Sequence, residues 1–141
     1  MTIKDSIRAL VEKLFARKRP HPLPVHEIEN IPDPFAPWEL FPHKDPDIFR
    51  CTQGLEEFWS DHIFLPYWSQ LSEKERNDLK RRAPSKAWLD WVERVTTQED
   101  LLAIRAFHKR HGLPFDYRFY LGDFMLSYAR DVQHFQDKRR P

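Results

Sequence analysis

Two pairs of residues stand at the spacing that metal ligands on one helix face would take: His108 with His111, and Asp131 with His134. Such an i, i+3 pair supplies two ligands of a helical site. A site needs more than two, and neither an H-E-x-x-H motif nor a second cysteine occurs in the chain. His108-Lys109-Arg110-His111 also sits among cations, which repel a divalent ion. The expectation here is a solvated, positively charged helix end favoured by the helix dipole, and no metal or other cofactor.

The remaining reactive side chains are equally isolated. Asp61 and His62 are adjacent, so on a helix they point about 100° apart and cannot act as a carboxylate–base pair. His62 instead shares an apolar stripe with Leu55, Phe58 and Trp59, which predicts a hydrogen-bonded histidine at the edge of the core. Cys51 follows Arg50, which could depress a thiol pKa, but a nucleophile also needs an oriented base and none is visible. Gly54, Gly112 and Gly122 are the only glycines, so no glycine-rich phosphate loop exists. An enzyme built on this chain would have to be a small helical metal-dependent one using His62, His108, His111 or His134. The expectation is a non-enzymatic protein.

Charge excludes some partners. The formal net charge is +1, which gives no global attraction to nucleic acid or to a membrane. Arg17-Lys18-Arg19, Lys80-Arg81-Arg82 and Lys138-Arg139-Arg140 each close a predicted helix, where the dipole explains them. Nucleic acid is therefore disfavoured. A single cysteine precludes an internal disulfide, and points to a reducing, intracellular compartment. No apolar run approaches the ~20 residues of a membrane-spanning helix.

Hydrophobic periodicity places these residues on helices. Ile3, Ile7, Leu10, Val11, Leu14 and Phe15 predict an amphipathic helix over 3–18, and Pro20 stops it. A second helix is predicted from about Thr52 to Phe64, ended or kinked by Pro66. Ser72-Glu73-Lys74-Glu75 is a capping box opening a short polar helix. Ser85 and Thr97 cap two more, the latter carrying Leu101, Leu102, Ile104, Ala106 and Phe107 and stopping at Gly112. Asp116 caps a last helix along Tyr120, Leu121, Phe124, Met125, Tyr128, Val132 and Phe135. Sustained period-2 alternation is missing, so no strand is expected.

Between the first two helices lies the most unusual stretch. Residues 20–48 hold eight of the twelve prolines, together with Ile31, Phe35, Trp38, Leu40 and Phe41. Proline fixes φ and removes a donor, so the segment is expected to be extended, neither helix nor central strand. Its aromatics distinguish it from a slack linker. Charge is also blocked out here: residues 1–20 carry six bases against two acids, a balance of +4, and residues 21–48 carry one base against six acids, a balance of −5.

The predicted architecture is all-α: an amphipathic helix in residues 1–19, a Pro/aromatic-rich arm over 20–48, and a helical domain of four to five helices over 49–141. An arm of this kind either fills grooves on its own body or docks on another protein. The functional expectation is an accessory subunit or modulator of a larger assembly. Its contact residues would be Pro34, Phe35, Pro37, Trp38, Leu40 and Phe41 on the arm, with Ile7, Leu10, Val11 and Leu14 on the first helix. Attachment to a membrane surface through helix 3–18 is the alternative partner reading.

Overall fold

The structure, a computed structural model, describes residues 32–49 and 54–139, with side chains as far as Val132. The helix predicted over 3–18, the first part of the arm and Cys51 lie outside the described residues. Residues 32–121 form one compact unit, and from Gly122 the last helix belongs to a second unit. Every regular element among the described residues is helical, with no strand.

The arm is where expectation and structure part. Residues 32–49 belong to the same compact unit as the helices that follow. They do not run extended. Asp33 and Asp45 accept hydrogen bonds from the backbone N–H of Phe35 and Asp47, at 2.9 Å each, closing two turns of the kind aspartate favours. Between them lies a one-turn helix, α1 (Pro37–Leu40), with Pro37 in its first turn. Proline was expected to preclude helix throughout this segment. At the first helical position, however, its missing N–H is one that has no intrahelical partner anyway, and its φ already suits the turn.

The segment turns back to deliver its apolar side chains inward. Trp38, Leu40, Phe41 and Phe49 are all buried. Phe49 meets Phe41, Trp59, Trp88 and Trp91 at ring-centroid distances of 5.1, 6.1, 5.5 and 5.2 Å. Trp59 also stacks on Phe64 at 5.0 Å and on Trp91 at 6.1 Å. This aromatic cluster is the core. Each such pair adds about 0.5–1.5 kcal/mol beyond the area it buries.

The helix after the arm runs continuously from Leu55 to Gln70, as α2 (Leu55–Trp59), a π turn (Ser60–Phe64) and α3 (Leu65–Gln70). Pro66 does not end it. Proline cannot donate to the carbonyl four residues back. Just before it the helix widens, and Leu65 N–H reaches the carbonyl of Ser60, five residues back. The widened turn absorbs the fault, and Pro66 then sits in the first turn of α3.

The remaining boundaries follow the predicted caps. In α4 (Glu73–Arg81) Ser72 and Glu75 form a reciprocal capping box, and Leu79 is its one buried residue. Ser85 accepts from Trp88 N–H at the start of α5 (Lys86–Val95), and Thr97 accepts from Asp100 N–H at the start of α6 (Gln98–Arg110). Asp116 accepts from Arg118 N–H at 3.0 Å where α7 (Tyr117–Arg139) begins.

In the second unit, the described part of α7 has Phe124 buried and stacked on Tyr128 at 6.0 Å. Among the described residues no helix is long and apolar enough to cross a membrane.

These placements predict an unequal mutational response in the full-length protein. Phe49→Ala or Phe41→Ala should each cost about 3–5 kcal/mol, because each empties a fully packed aromatic site. Ser72→Ala should cost about 1 kcal/mol or less, the value of one cap on a solvated helix. Urea denaturation monitored by tryptophan fluorescence measures all three. Equal small losses would mean that the arm is not part of the core.

Candidate functional site: a buried histidine pair

Among the described residues, two histidine side chains meet at the π turn. His62 is delivered by that turn and His108 by the last turn of α6. Sequence reasoning had set His108 in a solvated cationic helix end, and the structure corrects this. His108 is 0% exposed, and His62 is 8% exposed. Their rings meet edge to face, with Nδ1 of His62 2.8 Å from Nε2 of His108.

The backbone fixes the tautomers. Nδ1 of His108 lies 2.7 Å from the carbonyl oxygen of Ile104, an atom that can only accept. His108 Nδ1 therefore carries the proton and donates, so Nε2 is the bare nitrogen that accepts from His62 Nδ1–H. The result is a directed chain from His62 through His108 to the Ile104 carbonyl, with both imidazoles neutral.

Local geometry explains why α6 ends where it does beneath this chain. Gly112 adopts φ +65°. Leu113 N–H bonds the His108 carbonyl at 2.9 Å, and Gly112 N–H bonds the Lys109 carbonyl at 3.3 Å. These two bonds make a Schellman motif, which needs a left-handed residue such as glycine after the C-cap. The chain then turns back through Pro114, whose carbonyl accepts from the Tyr120 hydroxyl at 2.9 Å. That bond holds the Tyr120 ring 4.9 Å from His62 and 6.2 Å from His108. Phe58 covers His62 at 4.8 Å, and Phe115 covers His108 at 5.4 Å.

Such an enclosure disfavours charge. Burial, and secondarily the neighbouring His108, push the His62 pKa down to about 3. Burial lowers His108 as well, against the opposing effect of its bond to Ile104. Burial raises the Tyr120 phenol to about 12. All three groups are neutral at physiological pH, and the pair serves as a polar tie between the π turn and α6.

The other sequence-predicted residues are not brought to this place as ligands. His111 packs its ring 4.5 Å from Phe107. The side chain of His134 and the whole of Cys51 lie outside the described residues. Among the described residues no group of three or more His, Cys, Asp or Glu side chains is placed to hold a metal ion. Of the candidate contact residues, Pro37, Trp38, Leu40 and Phe41 are buried within residues 32–121, and Pro34 and Phe35 are half-buried. Phe35 stacks on Tyr67 at 3.8 Å, and the Pro34 carbonyl accepts from Trp59 Nε1–H at 2.6 Å. Ile7, Leu10, Val11 and Leu14 lie outside the described residues.

One signal in the sequence pointed at His108. Leu101, Ile104 and His108 continue a single stripe at i, i+3, i+7, the spacing of a buried helix face. The flanking cations obscured it. Tyr120 stood on its own stripe without any hint that it would close over two histidines from elsewhere.

No family model matches the chain, and no curated protein or solved structure shows a significant match to it.

The lowered histidine pKa values set the direction of the pH response. A group whose folded pKa lies below its unfolded value contributes stability that is complete above the unfolded value. That stability is lost as the pH falls toward the folded value. The window here runs from about pH 6.5 down to about 3. Each histidine that charges only on unfolding contributes up to about 1.4 kcal/mol per pH unit across its share of that window. Urea midpoints taken between pH 7.5 and 4.5 should fall steadily. His62→Phe combined with His108→Leu should flatten the profile, since it removes donor and acceptor together. An equally steep profile in the double variant would exclude the pair as its source.

Proposed function

We propose that this is a non-enzymatic protein-interaction module, of the kind that serves as an accessory subunit or modulator of a larger assembly. What supports this most is the sorting of its apolar side chains. All five tryptophans are buried, yet Leu102 is 57% and Phe119 61% exposed. Ile48 is 56% exposed as well. A domain that encloses its largest residues while leaving these three in water has apolar surface to offer a partner. The histidines give the same reading support from inside. Nδ1 of His62 and both ring nitrogens of His108 are directed at each other and at the Ile104 carbonyl, and burial holds both rings neutral.

The contact surface in this reading is the outer side of α6 and the first turn of α7, with Ile48 as a separate exposed point. It excludes Trp38, Leu40 and Phe41, which the core already uses. Buried apolar anchors dominate interface energies, so removing the exposed ones should abolish binding without unfolding the protein.

The test is affinity purification of full-length chain from its native source, beside the variant Ile48→Ser, Leu102→Ser, Phe119→Ser. A partner held in fixed stoichiometry by the wild type should drop at least tenfold with the variant. Melting temperatures should stay close, because exposed substitutions usually change stability by no more than about 0.5 kcal/mol each. A wild-type chain that elutes alone, with no stoichiometric companion, would remove this reading.

A further inference from the structure

We propose that the chain's own residues 3–18 dock as a helix on the face of α7 that runs from Phe124 to Val132. Among the described residues, α7 from Gly122 has the second unit to itself, yet Phe124 is 0% exposed. A fully buried side chain touches about six to twelve other residues, more than its own helix supplies. Tyr128, stacked on Phe124, is half-buried, and burial raises its phenol pKa. Phe124, Tyr128 and Val132 stand at i, i+4 and i+8, with Met125 and Ser127 beside them, and all five are buried or half-buried. Gly122 and Leu126, turned away from this stripe, are exposed. Covered stripe and open back are the pattern of a helix packed on one side against another body.

The rest of the chain narrows the occupant to one segment. Beyond Val132, α7 continues as helix to Arg139 and cannot fold back on itself. Residues 50–53 are too few to cover two helical turns. Residues 19–31 hold Pro20, Pro22 and Pro24, which preclude a regular helical stripe there. Residues 3–18 carry Ile3, Ile7, Leu10, Val11, Leu14 and Phe15 at helical spacing. From Ile3 to Phe15 that stripe is about 18 Å long, against about 12 Å from Phe124 to Val132, at 1.5 Å per residue. A helix of this length is marginal in water alone, so it too requires a body to pack on. Residues 19–31, which join it to Pro32, reach up to about 45 Å when extended. That exceeds the length of α7, about 35 Å, so the connection allows either direction of packing.

Charge agrees with this occupant. At 100° per residue, Arg8 borders the stripe of residues 3–18 on one side and Arg17 on the other, while Asp5 and Glu12 lie behind it. From Gly122 to Val132, α7 carries Asp123 and Asp131 against Arg130, a balance that favours a neighbour edged with bases. The same packing consumes the apolar face with which residues 3–18 would otherwise enter a membrane surface.

The test uses purified, dilute full-length chain with p-benzoylphenylalanine in place of Met125, irradiated and read by mass spectrometry. The expected adduct joins position 125 to residues 3–18 of the same chain. Leu10→Asp with Leu14→Asp should cut its yield at least tenfold. An adduct on residues 32–121, an adduct on a second copy, no adduct at all, or a yield indifferent to the two aspartates would each overturn the proposal. So would capture of lipid in place of residues 3–18 when anionic vesicles are added. Hydrogen exchange without the crosslinker gives a second measurement. Amides of residues 124–132 should exchange at least tenfold faster in the Leu10→Asp, Leu14→Asp variant than in the wild type, and unchanged protection there would equally overturn the proposal. The crosslink from the chain with its native residues 3–18 decides the matter even where the double variant unfolds.

Discussion

The structure of residues 32–121 depends on one aromatic side chain that comes from outside the longer helices. Phe49 comes from the end of the arm, yet it sits among Trp59 of α2 and Trp88 and Trp91 of α5, with Phe41 behind it. Three stretches of chain far apart in sequence are thereby held at one point. The residue composition makes this necessary. Twenty of the residues are Phe, Trp or Tyr, so core volume is filled by large rigid plates rather than by branched aliphatic chains. Plates pack only in particular mutual orientations, and a space left by one is not readily refilled by its neighbours. An arm that contributes Phe41 and Phe49 to such a cluster is as much a part of the fold as the helices are.

The helix from Leu55 to Gln70 acts as the axle of this unit because its two sides are tied by different means. One side holds the arm. Trp59 lies in the aromatic cluster, and its indole N–H is spent on the Pro34 carbonyl. The other side holds α6 and the first turn of α7, through His62, His108 and Tyr120. The π turn, which follows Trp59 and carries His62, is the local adjustment that lets the helix continue past Pro66. The arrangement is not fully satisfied: Ser60 Oγ and Trp91 Nε1 are buried with no hydrogen-bond partner among the described residues. Each such group costs on the order of 1–3 kcal/mol, a cost that the surrounding aromatic burial must exceed.

How much of this could be read from the sequence depends on the range of the force concerned. Ser72, Ser85, Thr97 and Asp116 act within three residues, and each was identifiable as a cap from its own neighbourhood. Gly112 was identifiable for the same reason, since a left-handed turn residue is a local requirement. Pro37 was misread because proline's effect depends on its position within a turn, and position is set by the packing that follows. His108 was misread because its nearest neighbours in sequence, Lys109 and Arg110, point elsewhere, whereas the partner that decides its charge state is 46 residues away. The arm was legible as a surface-seeking segment, and its two possible destinations were both visible. Burial of Trp38, Leu40 and Phe41, with Phe49 just beyond the segment, decides that its described half lies on its own body.

The polar tie also explains why apolar surface is left over. A helix fixed to a domain by the hydrophobic effect alone needs a wide apolar stripe turned inward. α6 is fixed differently. His108 bonds across to His62 and back to Ile104, its carbonyl is bound by Leu113 N–H, and the turn that follows brings Tyr120 against both rings. Few side chains are needed to hold it, and Leu101 is the only other buried one. Leu102 on its flank and Ala106 on its far side are left exposed. The neutral histidine pair is in this sense what lets α6 be held with so little apolar surface turned inward.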